Sequence, residues 1–205
     1  MKSSLVHTFW AAALLVGTAS CSSKPDSVEQ AQQANEAKTG STMADTTVTT
    51  SKGTARATSP AYDSDFMTKA ASGGMLEVKL GQEVLKHAVT SEVKQFAQQM
   101  VTDHTKGNDQ LKAIAAKKNI TLPTTLGEEQ QKVYDEVTGE KGPALDQHYV
   151  KAMIADHEED IREYQEAVTK ASDTQIKGYA IQTVPMLQMH LQMVQKIQPV
   201  VDAKK

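Results

Sequence analysis

Apolar side chains recur at intervals of three and four positions through most of the chain after residue 61, and runs of alternating β-branched residues are nearly absent. This spacing places the apolar residues on one face of an α-helix, whereas a half-buried strand would alternate apolar and polar residues. The pattern therefore predicts an all-α domain. Four long helices are predicted, at residues 62–88, 91–118, 143–171 and from 173 onward.

Residues at the predicted helix ends support these boundaries. Thr90 or Ser91 can cap the second helix, because hydroxyl side chains accept hydrogen bonds from the first free N–H groups. Pro143 opens the third helix, since proline suits the first helical turn. Ser172 and Gln175 have the spacing of a capping box at the start of the fourth helix.

The connection between the second and third helices, Asn119–Gly142, is much longer than the other two predicted turns. It contains a short helical piece that Thr125 and Glu128 can cap. Two tight helical hairpins joined by one long crossover form the arrangement of ferritin-like bundles. We therefore predict that residues 61–205 form a ferritin-like four-helix bundle with a long crossover from helix 2 to helix 3.

The N-terminal region predicts export. Residues 1–20 combine Lys2 with a short apolar run and a small-residue exit, which is the pattern of a signal peptide. The apolar run is shorter than the roughly 20 residues that a membrane-spanning helix requires. Residues 21–60 contain almost no large apolar side chain, so we expect them to form a disordered linker that precedes the folded domain.

Cys21 is the only cysteine of the chain, so no intramolecular disulfide can form. It follows Thr18-Ala19-Ser20 in a pattern that resembles the lipobox of bacterial lipoproteins. We predict that Cys21 carries a lipid; simple cleavage that leaves a free thiol is the alternative. The predicted partner is thus a membrane, and the predicted location is the cell envelope, facing the periplasm or on the outer membrane. A formal net charge of -3 without a basic stripe argues against nucleic acid.

Each predicted helix carries an inward-facing stripe that is apolar except for one residue. These residues are Glu77, His104, His157 and His190. Each lies within about one turn of the middle of its helix, so we expect the four side chains to converge in the core. An unpaired buried polar group costs about 1–3 kcal/mol, so the four must satisfy one another or bind a ligand. Imidazole and carboxylate suit zinc, copper, iron or manganese, and the pattern predicts a site for a single transition-metal ion.

Methionines and aspartates near the histidines extend this hypothesis. Met100, Met153 and Met186 each precede a histidine by four positions and share its helix face. They are candidate soft ligands, although core packing by methionine is the alternative. Asp103 and Asp156 lie about 100° around the helix from their histidines, so we expect them to pair with lysines at the surface. Contact with an imidazole of a neighbouring helix is the alternative.

The segments that carry these residues resemble the bacterial domain-of-unknown-function family 4142. They are ASGGMLEVKLG at 71–81, EVKQFAQQMVTDH at 92–104, YVKAMIADHEEDIREYQEA at 149–167 and VPMLQMHLQM at 184–193. The resemblance implies a ferritin-like bundle that is exported or lipid-anchored, and it implies no reaction. Di-iron bundles carry Glu-x-x-His on two helices. Val101, Ile154 and Leu187 stand at that position here, which argues against a two-metal centre.

These observations predict an envelope-anchored bundle that binds one transition-metal ion in its core. The predicted role is metal binding or storage, or protection against stress. The alternative is a metal-free structural or protein-interaction module whose polar core is a hydrogen-bonded network. An enzyme is the third candidate. It has the least support, because no nucleophile with an adjacent base is visible and a saturated ligand set leaves no open coordination position.

Overall fold

The computed structural model describes residues 25–39 and 59–204. Within these ranges the chain forms helices and no strand, so the prediction of an all-α protein is confirmed. The helices are α1 (Ser27–Thr39), α2 (Pro60–His87), α3 (Ser91–Lys118), α4 (Glu128–Thr138), α5 (Gly142–Lys170) and α6 (Thr174–Asp202). The predicted signal peptide and Cys21 lie outside the described residues. No helix in the described ranges is long and apolar enough to cross a membrane.

Helix α1 corrects the sequence-based prediction for part of the linker. Residues 27–39 were expected to be disordered, yet they form a helix that packs on α2 and on the crossover. The Asn35 side chain donates to the carbonyl of Thr121 and accepts from its N–H, at 3.0 and 2.7 Å. Lys38 donates to the Thr121 hydroxyl at 2.6 Å. Composition did not reveal this helix, because polar contacts to a distant loop hold much of it in place.

The four long helices pack as two hairpins. Helices α2 and α3 form one hairpin and α5 and α6 the other, while α2 also packs on α5 and α3 on α6. The crossover contains α4, which packs against α2 and α5. Apolar side chains form two clusters, one towards the α2–α3 turn with Leu80 and Phe96, and one towards the α5–α6 turn with Phe66 and Tyr164. The predicted polar residues occupy the layer between these clusters.

Two buried aspartates tie each hairpin turn to the opposite hairpin. Asp146 of α5 accepts a hydrogen bond from the N–H of Thr90 in the α2–α3 turn, at 2.7 Å. Asp63 of α2 accepts from the N–H groups of Ser172 and Asp173 in the α5–α6 turn, both at 2.9 Å. Because each turn is held by the other hairpin, these contacts fix the register of the two hairpins along the helix axes.

These ties also change the predicted helix caps. The cap of α6 is Asp173, whose carboxylate accepts from the N–H groups two and three residues later at 2.8 and 3.2 Å. Ser172, the predicted cap, instead donates its hydroxyl to Asp63 at 2.6 Å. Thr90 stands at the predicted cap position of α3, but its side chain makes no capping bond.

Gly74 and Gly81 allow α2 and α3 to approach closely on either side of Glu77. A Cβ atom at Gly81 would lie 3.0 Å from the backbone oxygen of Ala97, and one at Gly74 would overlap the side-chain amide of Asn108. Real Cβ atoms rarely come so close to other heavy atoms, so a larger residue would push the helices apart. The two glycines therefore keep Glu77 within reach of α3.

The aspartate ties predict the effect of Asp146→Ala on stability. Removing this carboxylate leaves the buried N–H of Thr90 without its partner, so the free energy of unfolding should fall by about 1–3 kcal/mol. Urea titration measures this value. Asp109→Ala is the control, because Asp109 only makes an exposed pair with Lys112 and its loss should have little effect. Equal stabilities of the two variants would contradict the proposed tie.

Candidate metal centre

Three imidazoles meet between the two apolar clusters. His104 of α3, His157 of α5 and His190 of α6 are 5%, 0% and 0% exposed. One ring nitrogen from each lies within 4.8 Å of those of the other two. The ring centroids are 5.2–5.7 Å apart. The structure thus brings the three histidines together at the height that their positions along the helices predict.

Glu77 of α2 lies between two of these rings. Its side chain is 1% exposed, and Oε2 lies 2.5 Å from Nδ1 of His104. The other oxygen, Oε1, lies 3.6 Å from Nε2 of His157, which is too far for a hydrogen bond. The carboxylate therefore holds one ring through one oxygen, while its second oxygen makes no hydrogen bond to a ring.

The hydrogen-bond partners of the rings indicate where their protons lie. Nδ1 of His157 lies 2.9 Å from the carbonyl oxygen of Met153, which can only accept, so Nδ1 carries the proton. The lone pair of a neutral His157 is then on Nε2. Nε2 of His190 lies 2.9 Å from Oδ2 of Asp103, so a proton on Nε2 leaves the lone pair of a neutral His190 on Nδ1.

His104 completes this pattern. If its Nδ1–H donates to an ionised Glu77, its Nε2 carries a lone pair, and this atom lies 3.2 Å from Nδ1 of His190. Two lone pairs then face each other with no proton between them. A protonated Glu77 would reverse the direction, with its O–H donating to His104 and His104 donating to His190. Neither arrangement supplies a donor to Nε2 of His157.

The surroundings keep the three imidazoles neutral at pH 7. Burial lowers the pKa of His104 to about 4. Burial, followed by the neighbouring histidines, lowers the pKa of His157 to about 3. Burial also lowers the pKa of His190, against the opposing effect of Asp103. Burial raises the pKa of Glu77 well above its ordinary value. A cation bound beside Glu77 would lower this pKa again, because a nearby positive charge stabilises the ionised carboxylate.

Several buried polar atoms at this place have no hydrogen-bond partner. Among the described residues these atoms are Glu77 Oε1, Asp156 Oδ2, His157 Nε2 and Tyr149 Oη. The first three belong to side chains whose ligand atoms also lie within 4.8 Å of one another. A proton shared by the carboxyl groups of Glu77 and Asp156 can pair their oxygens, but His157 Nε2 then still has no donor. Because buried polar atoms are nearly always paired, this nitrogen favours a ligand at this place. Oxygen and imidazole nitrogen together suit a cation.

The expected pairing of Asp103 and Asp156 with surface lysines is wrong, and for Asp103 the alternative, contact with an imidazole of a neighbouring helix, is confirmed. Asp103 contacts His190 and accepts from Gln99 at 2.6 Å, and Asp156 lies beside Glu77 and His157. Each residue precedes a core-facing histidine and points at the neighbouring helix rather than into solvent. The signal in the sequence was the repeated Asp-His pair, in VTDH and IADH. Asp156 also means that Glu77 is not the only inward carboxylate, contrary to the prediction.

The candidate methionine ligands have packing roles in the structure. Met100 and Met153 are fully buried in one apolar cluster, and Met186 packs partly buried against the other. The contact that Met153 makes with a histidine is through its backbone carbonyl. Ligation by the three sulfur atoms stays a prediction.

The chain matches one protein family in sequence and two solved structures in fold. The profile of the family described as domain of unknown function (DUF4142) matches residues 47–197. A DUF305 protein from Streptomyces coelicolor, described as a candidate secreted protein, is 12% identical with a TM-score of 0.58, over 70% of this chain and 96% of that chain. A DUF305 fragment from Deinococcus radiodurans is 10% identical with a TM-score of 0.61, over 70% and 98%. At such identities the likeness shows the fold alone. No curated protein matches the chain.

The lowered histidine pKa values predict how stability depends on pH in metal-free protein. The unfolded chain protonates His157 below its ordinary pKa of 6.5, whereas the folded chain does so only near pH 3. The unfolded state thus binds the extra proton, and stability falls as pH falls between these values. His157→Asn, which keeps a donor for the Met153 carbonyl, should lose about 1 kcal/mol less per pH unit between about pH 6 and pH 4. Urea titrations at several pH values with a chelator measure this, and equal slopes would contradict it.

Proposed function

We propose a metal-binding function for this chain, which belongs to the family of the domain of unknown function DUF4142. In this proposal the four long helices form a ferritin-like bundle that holds one transition-metal ion in its core. His104, His157 and His190 are the nitrogen ligands, and Oε1 of Glu77 is the fourth ligand. Zinc, copper, iron and manganese are the candidate ions for such a set of donors.

The observation that carries the proposal is that every ring has its own acceptor on one nitrogen, which leaves the other nitrogen for a metal ion. The acceptors are Oε2 of Glu77 for His104, Oδ2 of Asp103 for His190 and the backbone oxygen of Met153 for His157. Metal-binding histidines almost always donate their second N–H in this way, because the contact fixes the tautomer and the ring orientation. The nitrogens left without a proton in His104 and His190 lie 3.2 Å apart, and that of His157 lies 3.6 Å from Oε1 of Glu77.

A hydrogen-bonded core without metal is the alternative. The raised pKa of Glu77 favours it, since a protonated Glu77 could start a chain of hydrogen bonds through His104 and His190 to Asp103. That chain leaves Nε2 of His157 unpaired in a fully buried place. A cation can bind Nε2 of His157 together with the free nitrogens of His104 and His190. For this reason we prefer the metal-binding function.

The proposed role is binding or storage in the cell envelope. Four protein ligands saturate a tetrahedral ion, which leaves no open position for a substrate. The predicted signal peptide and the predicted lipid on Cys21 support tethering to a membrane, and the Streptomyces coelicolor protein of similar fold is described as a candidate secreted protein. Mass spectrometry of the mature N-terminus tests the tether, because a lipidated Cys21 has a higher mass than a free one.

Metal binding by the full chain tests the proposed function. Zn²⁺, Cu²⁺ or Co²⁺ should bind at one ion per chain and raise the free energy of unfolding by about 3 kcal/mol at an ion concentration about 100 times the Kd. His157→Ala should abolish both effects, because it removes a ligand. His148→Ala is the matched control, since His148 is half-exposed and outside the centre, and it should bind like the wild type. Unchanged binding by His157→Ala would refute the proposal.

The orienting role of Asp103 gives a separate prediction. Asp103→Ala should lower metal affinity about 10- to 100-fold although Asp103 is not a proposed ligand, because His190 loses the acceptor that orients it. Asp103→Asn keeps an acceptor oxygen and should restore most of the affinity. Isothermal titration calorimetry measures the Kd, and the thermal midpoint of the metal-free variants separates orientation from stability. Wild-type affinity in Asp103→Ala would contradict this role.

A further inference from the structure

A cavity of about 680 Å³ lies between α2, α4 and α5. Carboxylates of α5 dominate its wall on that side, from Asp156 through Glu159 and Asp160 to Glu163. Lys69 of α2 also lines it and pairs with Glu163 at 3.6 Å. Two basic groups, Lys151 and His148, line the cavity nearer the start of α5. Helix α4 contributes the acidic Glu129 and Glu136. The acidic groups outnumber the basic ones.

The inner end of this cavity adjoins the candidate metal centre. Asp156 lines the cavity, and it also belongs to the group of three side chains that Glu77 and His157 complete. The side chains of Glu77 and His157 are 1% and 0% exposed, and Glu77 Oε1 and His157 Nε2 have no hydrogen-bond partner. Asp156 Oδ2 likewise has none. Ligand atoms of Asp156, Glu77 and His157 thus lead from the cavity wall to the imidazoles, and a proton shared by Asp156 and Glu77 is the partner that a cation would replace.

Gly73 keeps the cavity open at its side of α2. It lines the cavity, and a Cβ atom built there would lie 3.8 Å from Oδ1 of Asp160. A longer side chain at this position would therefore occupy the space beside the Asp160 carboxylate. The absence of a side chain leaves that carboxylate accessible from the cavity.

The other carboxylate that reaches the centre offers no comparable path. Asp103 is partly exposed near α6, but its Oδ2 already contacts both Gln99 and His190. A cation arriving there would have to displace these partners. Asp156, by contrast, has another carboxyl group, Glu77, as its hydrogen-bond partner, so an arriving cation takes the place of the proton that the two groups share.

We propose that the acidic cavity is the route by which the metal ion reaches the core. This inference rests on the proposed metal-binding function. The exposed carboxylate of Glu159 attracts the hydrated cation, and the oxygens of Asp160 and Asp156, whose pKa burial raises, replace part of its water. Glu77 and His157 then take the ion to the other two histidines. A cleft lined with one sign of charge raises the local concentration of the opposite ion, and low-dielectric walls strengthen this effect.

Uptake kinetics of the full chain test the route, with Co²⁺ as the probe because its visible spectrum reports ligation. In stopped-flow mixing, Asp160→Asn should slow uptake about tenfold, the low end of what an acidic cleft contributes to association rates, because the amide replaces water around the ion less well than the carboxylate does. Removal of Co²⁺ by excess chelator should slow by a similar factor, so the Kd should change little. Glu158→Gln is the matched control, because it removes one charge from an exposed position of α5 outside the cavity.

Gly73→Leu tests the same route without changing charge. It should slow uptake and release by filling the space beside Asp160, and its thermal midpoint shows whether the variant folds. If Asp160→Asn exchanges Co²⁺ at the rate of Glu158→Gln while binding one ion, the route is overturned and the metal-binding function stands. If the wild type binds no ion from Co²⁺, Zn²⁺ or Cu²⁺, the metal-binding function itself fails. Slower exchange in both variants with an unchanged Kd supports the route.

Discussion

Burying three imidazoles and a carboxylate among apolar side chains is unfavourable unless each polar atom finds a partner. The protein meets much of this requirement with acceptors that it places around the rings. Asp103 and a backbone carbonyl hold two of the rings, and one oxygen of Glu77 holds the third. These partners can be in place only if the four long helices keep a fixed register. Asp63 and Asp146 provide that register, because each holds the turn of the opposite hairpin.

The polar layer also explains why the core is divided. The two apolar clusters lie on either side of Glu77 and the histidines, so each of the four long helices contributes to both clusters and crosses the polar layer once. Within that layer either a proton on Glu77 or a bound metal ion can pair buried polar atoms. A proton on Glu77 pairs part of the network, whereas a cation satisfies the lone pairs of all three rings. The unpaired Nε2 of His157 is the atom on which the two solutions differ.

Periodicity and position along the helices were enough to predict the helices and the convergence of four side chains. The prediction was correct because a polar residue on the apolar face of a helix must enter the core together with its apolar neighbours. It did not work for Asp103 and Asp156, since their environment depends on which helix packs beside them rather than on their own helix. The helix of residues 27–39 was missed for a similar reason: its partners, such as Thr121, lie far away in the sequence.

Anomalous X-ray diffraction from crystals of the metal-loaded protein is the most direct test of the central claim. One strong peak is expected in the core, about 2.0–2.1 Å from His104 Nε2, His157 Nε2 and His190 Nδ1 if the ion is zinc. Anomalous peaks only at surface residues, with an empty core in which His104 and His190 stay hydrogen-bonded to each other, would contradict it.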